Sequence, residues 1–162
     1  MDFESLPKRK VIKGIPFKRD VFGCYVPVNA EGIVSKIKVQ KAADCLPVLN
    51  TLRHAKFETI VVITLDAGHQ IIGVHETTRG LVNQSLCHPR EIFEKAYRDL
   101  AVAIILAHNH PSGLLDPSAD DLLCTKRMLE ASKVLGIKFL DHLIVGETGY
   151  LSIKERIPHV FQ

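Results

Sequence analysis

Three side chains have the types and the spacing to hold one metal ion: His108, His110 and Asp121. They lie in the stretch Leu106-Ala107-His108-Asn109-His110-Pro111-Ser112-Gly113-Leu114-Leu115-Asp116-Pro117-Ser118-Ala119-Asp120-Asp121. The apolar run just before it, 101–107, is too short for an ordinary helix and reads as a buried strand. Residues two apart on a strand point to the same side, so His108 and His110 aim at one spot where that strand ends. Pro111-Ser112-Gly113 turns the chain. Pro117 and Ser118 then open a helix, with Ser118 as N-cap and Asp121 in the first turn. Two neutral imidazoles and one carboxylate leave a fourth position for water, the make-up of a catalytic zinc site rather than a closed structural one.

Plainer readings stand beside this one. A histidine at a strand end is more often a hydrogen-bonded residue than a ligand. Ser118-x-x-Asp121 also fits a capping box, although that motif prefers Glu or Gln at its last position. On a helical wheel Asp121 shares a stripe with Cys124, Met128, Ala131 and Leu135, which predicts an inward-facing carboxylate. An ionised Asp pointing inward is costly unless it is paired or bound to a cation. Leu123 and Val134 fall on the opposite side, so the periodicity is imperfect. Spacing alone leaves metal binding and ordinary capping both open.

His108-x-His110, then seven residues, Ser118, two residues and Asp121 match the JAMM (MPN+) metalloprotease signature H-x-H-x7-S-x2-D at every fixed position. The fuller string, with His88-Pro89-Arg90-Glu91 before it and Leu140-Asp141-His142 after it, resembles the RadC subfamily of JAB domains over roughly residues 38–155. The resemblance implies an α/β fold: a mixed sheet flanked by helices, of JAB/MPN, cytidine-deaminase-like architecture, with a metal at the rim. It implies Zn2+ as cofactor, held by His108, His110 and Asp121. It places the general base at Glu58, in Lys56-Phe57-Glu58-Thr59-Ile60, with Glu76 as the other candidate at a strand end. Without the family, each of these reads as a surface glutamate. It gives Ser118 a second role, donating to a tetrahedral oxyanion while its oxygen caps the helix. His142 matches a family feature and reads either as a satisfied core residue or as a group that orients a ligand. His54, His69, His75, His88 and His159 have no ligand spacing and read as surface or capping residues.

Positioning these groups takes several elements. Val21–Val28 and Gly32–Val39 read as strands around an Asn29-Ala30-Glu31 turn. Val39 to about Leu52 reads as a helix, with Ala42, Cys45, Leu46 and Leu49 at helical spacing and Pro47 kinking it or marking its start. Thr59–Leu65 and Gln70–Thr78 read as strands joined by a hairpin at Asp66-Ala67-Gly68-His69. A helix headed by Pro89 shows an apolar face of Ile92, Phe93, Ala96, Tyr97 and Leu100. The helix after the motif stops at Gly136, and Ile137–Val145 turns through Gly146-Glu147-Thr148-Gly149 into Tyr150–Ile153. Alternation of strands and helices with hairpins and crossovers points to a mixed sheet with helices packed on it. Residues 1–37 form a basic arm with short strands, and 38–162 form the RadC-like JAB/MPN domain.

With 162 residues, 46% of them hydrophobic, the chain has material for one core. Cys24, Cys45, Cys87 and Cys124 include no C-x-x-C pair, which argues against a zinc ribbon and a disulfide framework and for a reducing cytoplasm. The start MDFESLPKRK, with no apolar run behind it, predicts no secretory leader, and no stretch is long enough to span a bilayer. A net charge of +3 permits nucleic-acid contact without arguing for it.

Two functions follow as expectations. One is a cytoplasmic zinc metallohydrolase, a peptidase or isopeptidase acting on a protein or peptide. The other is a DNA-associated accessory protein, repair-related or from a mobile element, using the fold as a binding module. Its motivation is Lys8, Arg9, Lys10, Lys13, Lys18 and Arg19 in the arm, and weak DNA contact there is weighed against a plain solvated tail. Larger RadC proteins carry an N-terminal helix-hairpin-helix region for which 162 residues leave no room, which weakens the second reading.

Overall fold

The structure is a computed structural model that describes residues 9–12, 15–19, 25–27, 37–79 and 88–162. Eight strands form one sheet: β1 (Arg9–Ile12), β2 (Ile15–Arg19), β3 (Tyr25–Pro27), β4 (Thr59–Leu65), β5 (Ile71–Arg79), β6 (Ala103–Asn109), β7 (Lys138–Val145) and β8 (Tyr150–Ser152). Their order across the sheet is β1-β2-β3-β5-β4-β6-β7-β8. Among the described strands only β6 and β7 run parallel, and the 17-residue helix α2 (Ala119–Leu135) makes the crossover between them. Helices α1 (Pro89–Arg98) and α3 (Ile153–Arg156) and three 3-10 segments complete the described chain. The mixed α/β sheet flanked by helices agrees with the JAB/MPN expectation.

All seven residues of β4 are buried, which explains a run too apolar to alternate. Val61, Ile63 and Leu65 face one core with Cys45, Val48 and Leu49. Ile60 and Val62 face a second core with Ile92, Phe93, Ala96 and Met128. The 3-10 segments Ala42–Leu49 and Leu52–His54 therefore cover one side of the sheet, and α1, α2 and the last 3-10 segment, Pro158–Phe161, cover the other.

Several expectations are corrected here. The helix expected from Val39 to Leu52 is a 3-10 segment, Ala42–Leu49, followed by a second one, Leu52–His54. Its buried residues Ala42, Cys45 and Val48 are spaced by three, the 3-10 period. Pro47 inside it has no N–H to donate and would clash with the preceding α-turn. On α1, Ile92, Phe93 and Ala96 are buried, but Tyr97 and Leu100 point outward, Leu100 being 86% exposed. The helix has ended by then, and Leu100 takes a φ of 52° in the turn that follows. His75 is not a surface residue. It is buried, and its Nε2–H donates to Asp99 Oδ2 at 2.6 Å. Thr64 donates to the same carboxylate oxygen from β4.

Cys45 is a free thiol, pushed up to about 12 by burial and by the nearby Asp141 and Asp44 charges. Cys124 is disulfide-bonded, against the expectation from the cysteine spacing that disulfides play no part. No described helix is long and apolar enough to cross a membrane. The expected strands at 21–28 and 32–39 lie outside the described residues except for β3 and residues 37–39, where Lys38 makes only an isolated bridge to Gln70. The side chains of the basic arm also lie outside them.

Candidate metal centre

β6 delivers the first imidazole. His108 is the penultimate residue of the strand, 2% exposed, and His110 follows one residue past its end on the same side. The turn after it closes when the Gly113 N–H donates to the His110 carbonyl at 2.9 Å, with Gly113 at a φ of 79° that favours glycine. The next residues rest on the β7–β8 turn: a Cβ on Gly146 would lie 2.9 Å from Leu115 Cδ2. Ser118 then caps α2. Its Oγ accepts from the Asp121 N–H at 3.2 Å, and its own N–H donates to Asp121 Oδ2 at 2.7 Å. The capping box is present with Asp in the Glu position, and it aims Asp121 back at the strand end.

The three side chains meet. Nε2 of His108 and Nε2 of His110 are 2.9 Å apart. Asp121 places Oδ1 at 3.1 Å from the first and Oδ2 at 3.3 Å from the second. A ligand atom of Glu58 joins them, all four lying within 4.8 Å of one another. Donor atoms about 2.0–2.2 Å from one tetrahedral ion lie about 3.3–3.6 Å from each other, close to the separations found here.

Electrostatics agree. Burial alone would raise the Asp121 carboxyl, but hydrogen bonds from His108, His110 and Ser118 hold it far below the usual carboxylate range. Its hydrogen bond to Asp121 raises His110 against the effect of burial, with help from the Leu114 carbonyl and the Glu58 charge. A field that draws a proton to His110 draws a divalent cation to the same place. The ring is also oriented for it. Nδ1 of His110 is 2.8 Å from the Leu114 carbonyl oxygen, which can only accept, so Nδ1 carries a proton, and in the neutral ring that would bind a metal Nε2 is the lone pair facing inward. This donor set fits a metal ion. The group opens into a cleft of about 370 Å3 whose rim includes Leu114, Asp116 and Asp120.

Of the glutamates weighed in the sequence, Glu58 is in the group, while Glu76 lies exposed on β5 outside it. Ser118 is at the site, its hydroxyl donating to Asp121 Oδ2 at 2.6 Å. His88 caps α1, its Nδ1 accepting from the Arg90 N–H at 3.2 Å, and His54 and His159 are exposed.

Sequence reasoning missed Asn109. It points to the opposite side of β6 and is 2% exposed. Its Oδ1 accepts from Thr59 N–H at 2.9 Å, and its Nδ2 donates to Ala55 O at 3.1 Å and Phe57 O at 3.3 Å. These bonds bracket Glu58. The available signal was a polar residue at the end of an apolar strand, between two ligands. Thr125 was missed as well, and His142 was read as either a core residue or a group that orients a ligand. His142 sits 2.9 Å behind His108, and burial holds its pKa well below the usual value.

The family model for the RadC-like JAB domain matches residues 38–157. A UPF0758 protein of Clostridium perfringens is 43% identical over 124 residues, 76% of this chain and 55% of the relative. One from Moorella thermoacetica is 44% identical over 108 residues, covering 67% and 47%. One from Symbiobacterium thermophilum is 48% identical over 105 residues, covering 65% and 45%. The chain thus spans about half the length of the curated relatives it matches. The likeness covers every residue of the four-membered cluster. With that match over most of its length, the chain belongs to the RadC-like JAB domain family.

Proposed function

We propose that the chain is a zinc-dependent hydrolase that cleaves an amide bond, as a peptidase or isopeptidase. The observation that carries this reading is the convergence of His108, His110 and Asp121 beside Glu58 at the mouth of a cleft. Zinc held by the first three would supply a water acidified to a pKa of about 7 and a Lewis acid for the carbonyl. Glu58 takes the proton of the attacking water and passes it to the leaving nitrogen. Ser118 has two tasks. Its N–H already holds Asp121 Oδ2, so its hydroxyl can turn to the oxyanion without leaving that oxygen unbonded.

Metal content after purification without added zinc is the test. Wild type should carry about one zinc per chain, and the double variant His108→Ala, His110→Ala should carry none. Stoichiometric zinc in the double variant would sink the site assignment. A peptide and protein cleavage screen, run with and without a chelator, then tests the hydrolase reading, since activity indifferent to the chelator would exclude it.

One observation favours a second reading, DNA contact. In the β1–β2 pair Arg9 is the register partner of Lys18, so two basic positions fall together at the edge of the sheet. DNA binding that weakens steeply with salt supports this reading. No binding at low salt removes it.

A further inference from the structure

Behind His108 runs a buried hydrogen-bonded chain that the proposed chemistry leaves unused. Nδ1 of His108 is 2.9 Å from Nε2 of His142. Nδ1 of His142 is 2.7 Å from Oγ1 of Thr125, and that Oγ1 is 2.7 Å from the main-chain carbonyl oxygen of Asp121. All three side chains belong to residues no more than 2% exposed.

The chain can be read in one direction. A carbonyl oxygen only accepts, and two oxygens 2.7 Å apart need a proton between them, so the Thr125 hydroxyl donates to Asp121 O. That uses its one proton, and Oγ1 must accept from the Nδ1–H of His142. With the Nδ1 proton committed to Thr125, the neutral His142 ring has one nitrogen left, Nε2, and that nitrogen faces the His108 ring. Its Nε2 is then a lone pair and accepts from the Nδ1–H of His108. In the neutral His108 ring the other nitrogen, Nε2, is then the lone pair, and it faces His110 and Asp121.

We propose that Thr125 and His142 are positioning residues that lock His108 in the tautomer whose Nε2 is free to bind the metal. The proposal rests on the metal-site reading above. It gives Asp121 two functions: its carboxylate is a ligand, and its main-chain carbonyl sets the tautomer of another ligand through two intervening side chains. His110 is set the same way in one step by Leu114 O. Both imidazoles thus owe their orientation to main-chain carbonyls, which cannot change protonation.

Two measurements test this. In full-length protein with 15N-labelled histidine, long-range 1H–15N correlation spectra should show the Nδ1–H tautomer for His142. After zinc addition they should show Nδ1–H with a metal-bound Nε2 for His108. Zinc affinity by competition with a chromophoric chelator should fall about 10–100-fold in Thr125→Val and return to near wild type in Thr125→Ser. A role in core packing alone predicts the reverse, because Val fills the volume of Thr and Ser does not. An Nε2–H tautomer of His142, or a Thr125→Val protein that binds zinc as tightly as wild type, would overturn the proposal. If Thr125→Val does not fold, the wild-type spectra decide. If wild type takes up no zinc, the metal-site reading fails by itself, and the His142 tautomer in the zinc-free protein still rules for or against the relay.

Discussion

Asn109 and Glu58 divide one task between two faces of the sheet. Glu58 faces the cluster, and the Asn109 amide grips the main chain on either side of it. Glu58→Gln should keep zinc at wild-type stoichiometry and lower turnover about 10²–10⁴-fold on whichever substrate the screen returns. Asn109→Ala should also keep zinc, with turnover lowered about 10²-fold, since a misplaced base costs that much. Metal analysis beside kinetics separates these two from the ligand variants. The ligands were legible because each rests on a local rule: the period of two along β6 and the capping geometry of α2. The supporting residues were not. The bond from Asn109 to Thr59 spans 50 positions and that from His108 to His142 spans 34, so neither leaves a local pattern.

At the scale of the elements, α2 carries both ends of the centre's support: Ser118 and Asp121 in its first turn, Thr125 in its second. Ser118→Ala should lower stability by about 0.5–2 kcal/mol in urea unfolding through loss of the cap. It should also weaken zinc binding, because Asp121 loses a hydrogen bond that aims it. Met128, fully buried between α2 and the sheet, tests packing alone. Met128→Ala should cost about 2–5 kcal/mol while leaving zinc stoichiometry unchanged in the folded fraction. Strands β4, β6 and β7 were readable as short apolar runs with turn residues at their ends. The 3-10 segment was not. Its apolar positions 42, 45, 46 and 49 fit an α-helical wheel equally well, and Pro47 read as either a kink or a helix start.

Across the whole molecule, a second polar cluster ties α1 to the sheet. Asp99, at the C-cap of α1, receives protons from His75 on β5 and Thr64 on β4. Burial would raise the Asp99 carboxyl, but these hydrogen bonds outweigh it and hold the carboxyl below its ordinary value. A lowered carboxylate contributes stability above its unfolded pKa of about 3.9 and loses that contribution as pH falls through the folded value. Asp99→Asn should therefore be less stable than wild type near about pH 7, and the gap should narrow below about pH 4. Urea midpoints across that range read it directly, and a gap that does not change with pH would exclude the linkage. Gly73 completes the cluster: a Cβ there would sit 2.7 Å from both Asp99 Oδ2 and His75 Nε2. The sequence offered no sign of this cluster, because His75 and Asp99 are 24 positions apart on different elements.

The bare backbone at Gly146 has a reach beyond its own hairpin. Leu115 leans on it, and Leu115 belongs to the bridge linking the two halves of the coordination set. One extra methyl at position 146 would force the outer end of the Leu115 side chain aside and come within 3.4 Å of the Gly113 carbonyl oxygen, a disturbance of the bridge that alters no ligating residue. The loop that joins the two halves thus has a footing outside the centre, at a position where side-chain bulk matters although no ligand is touched.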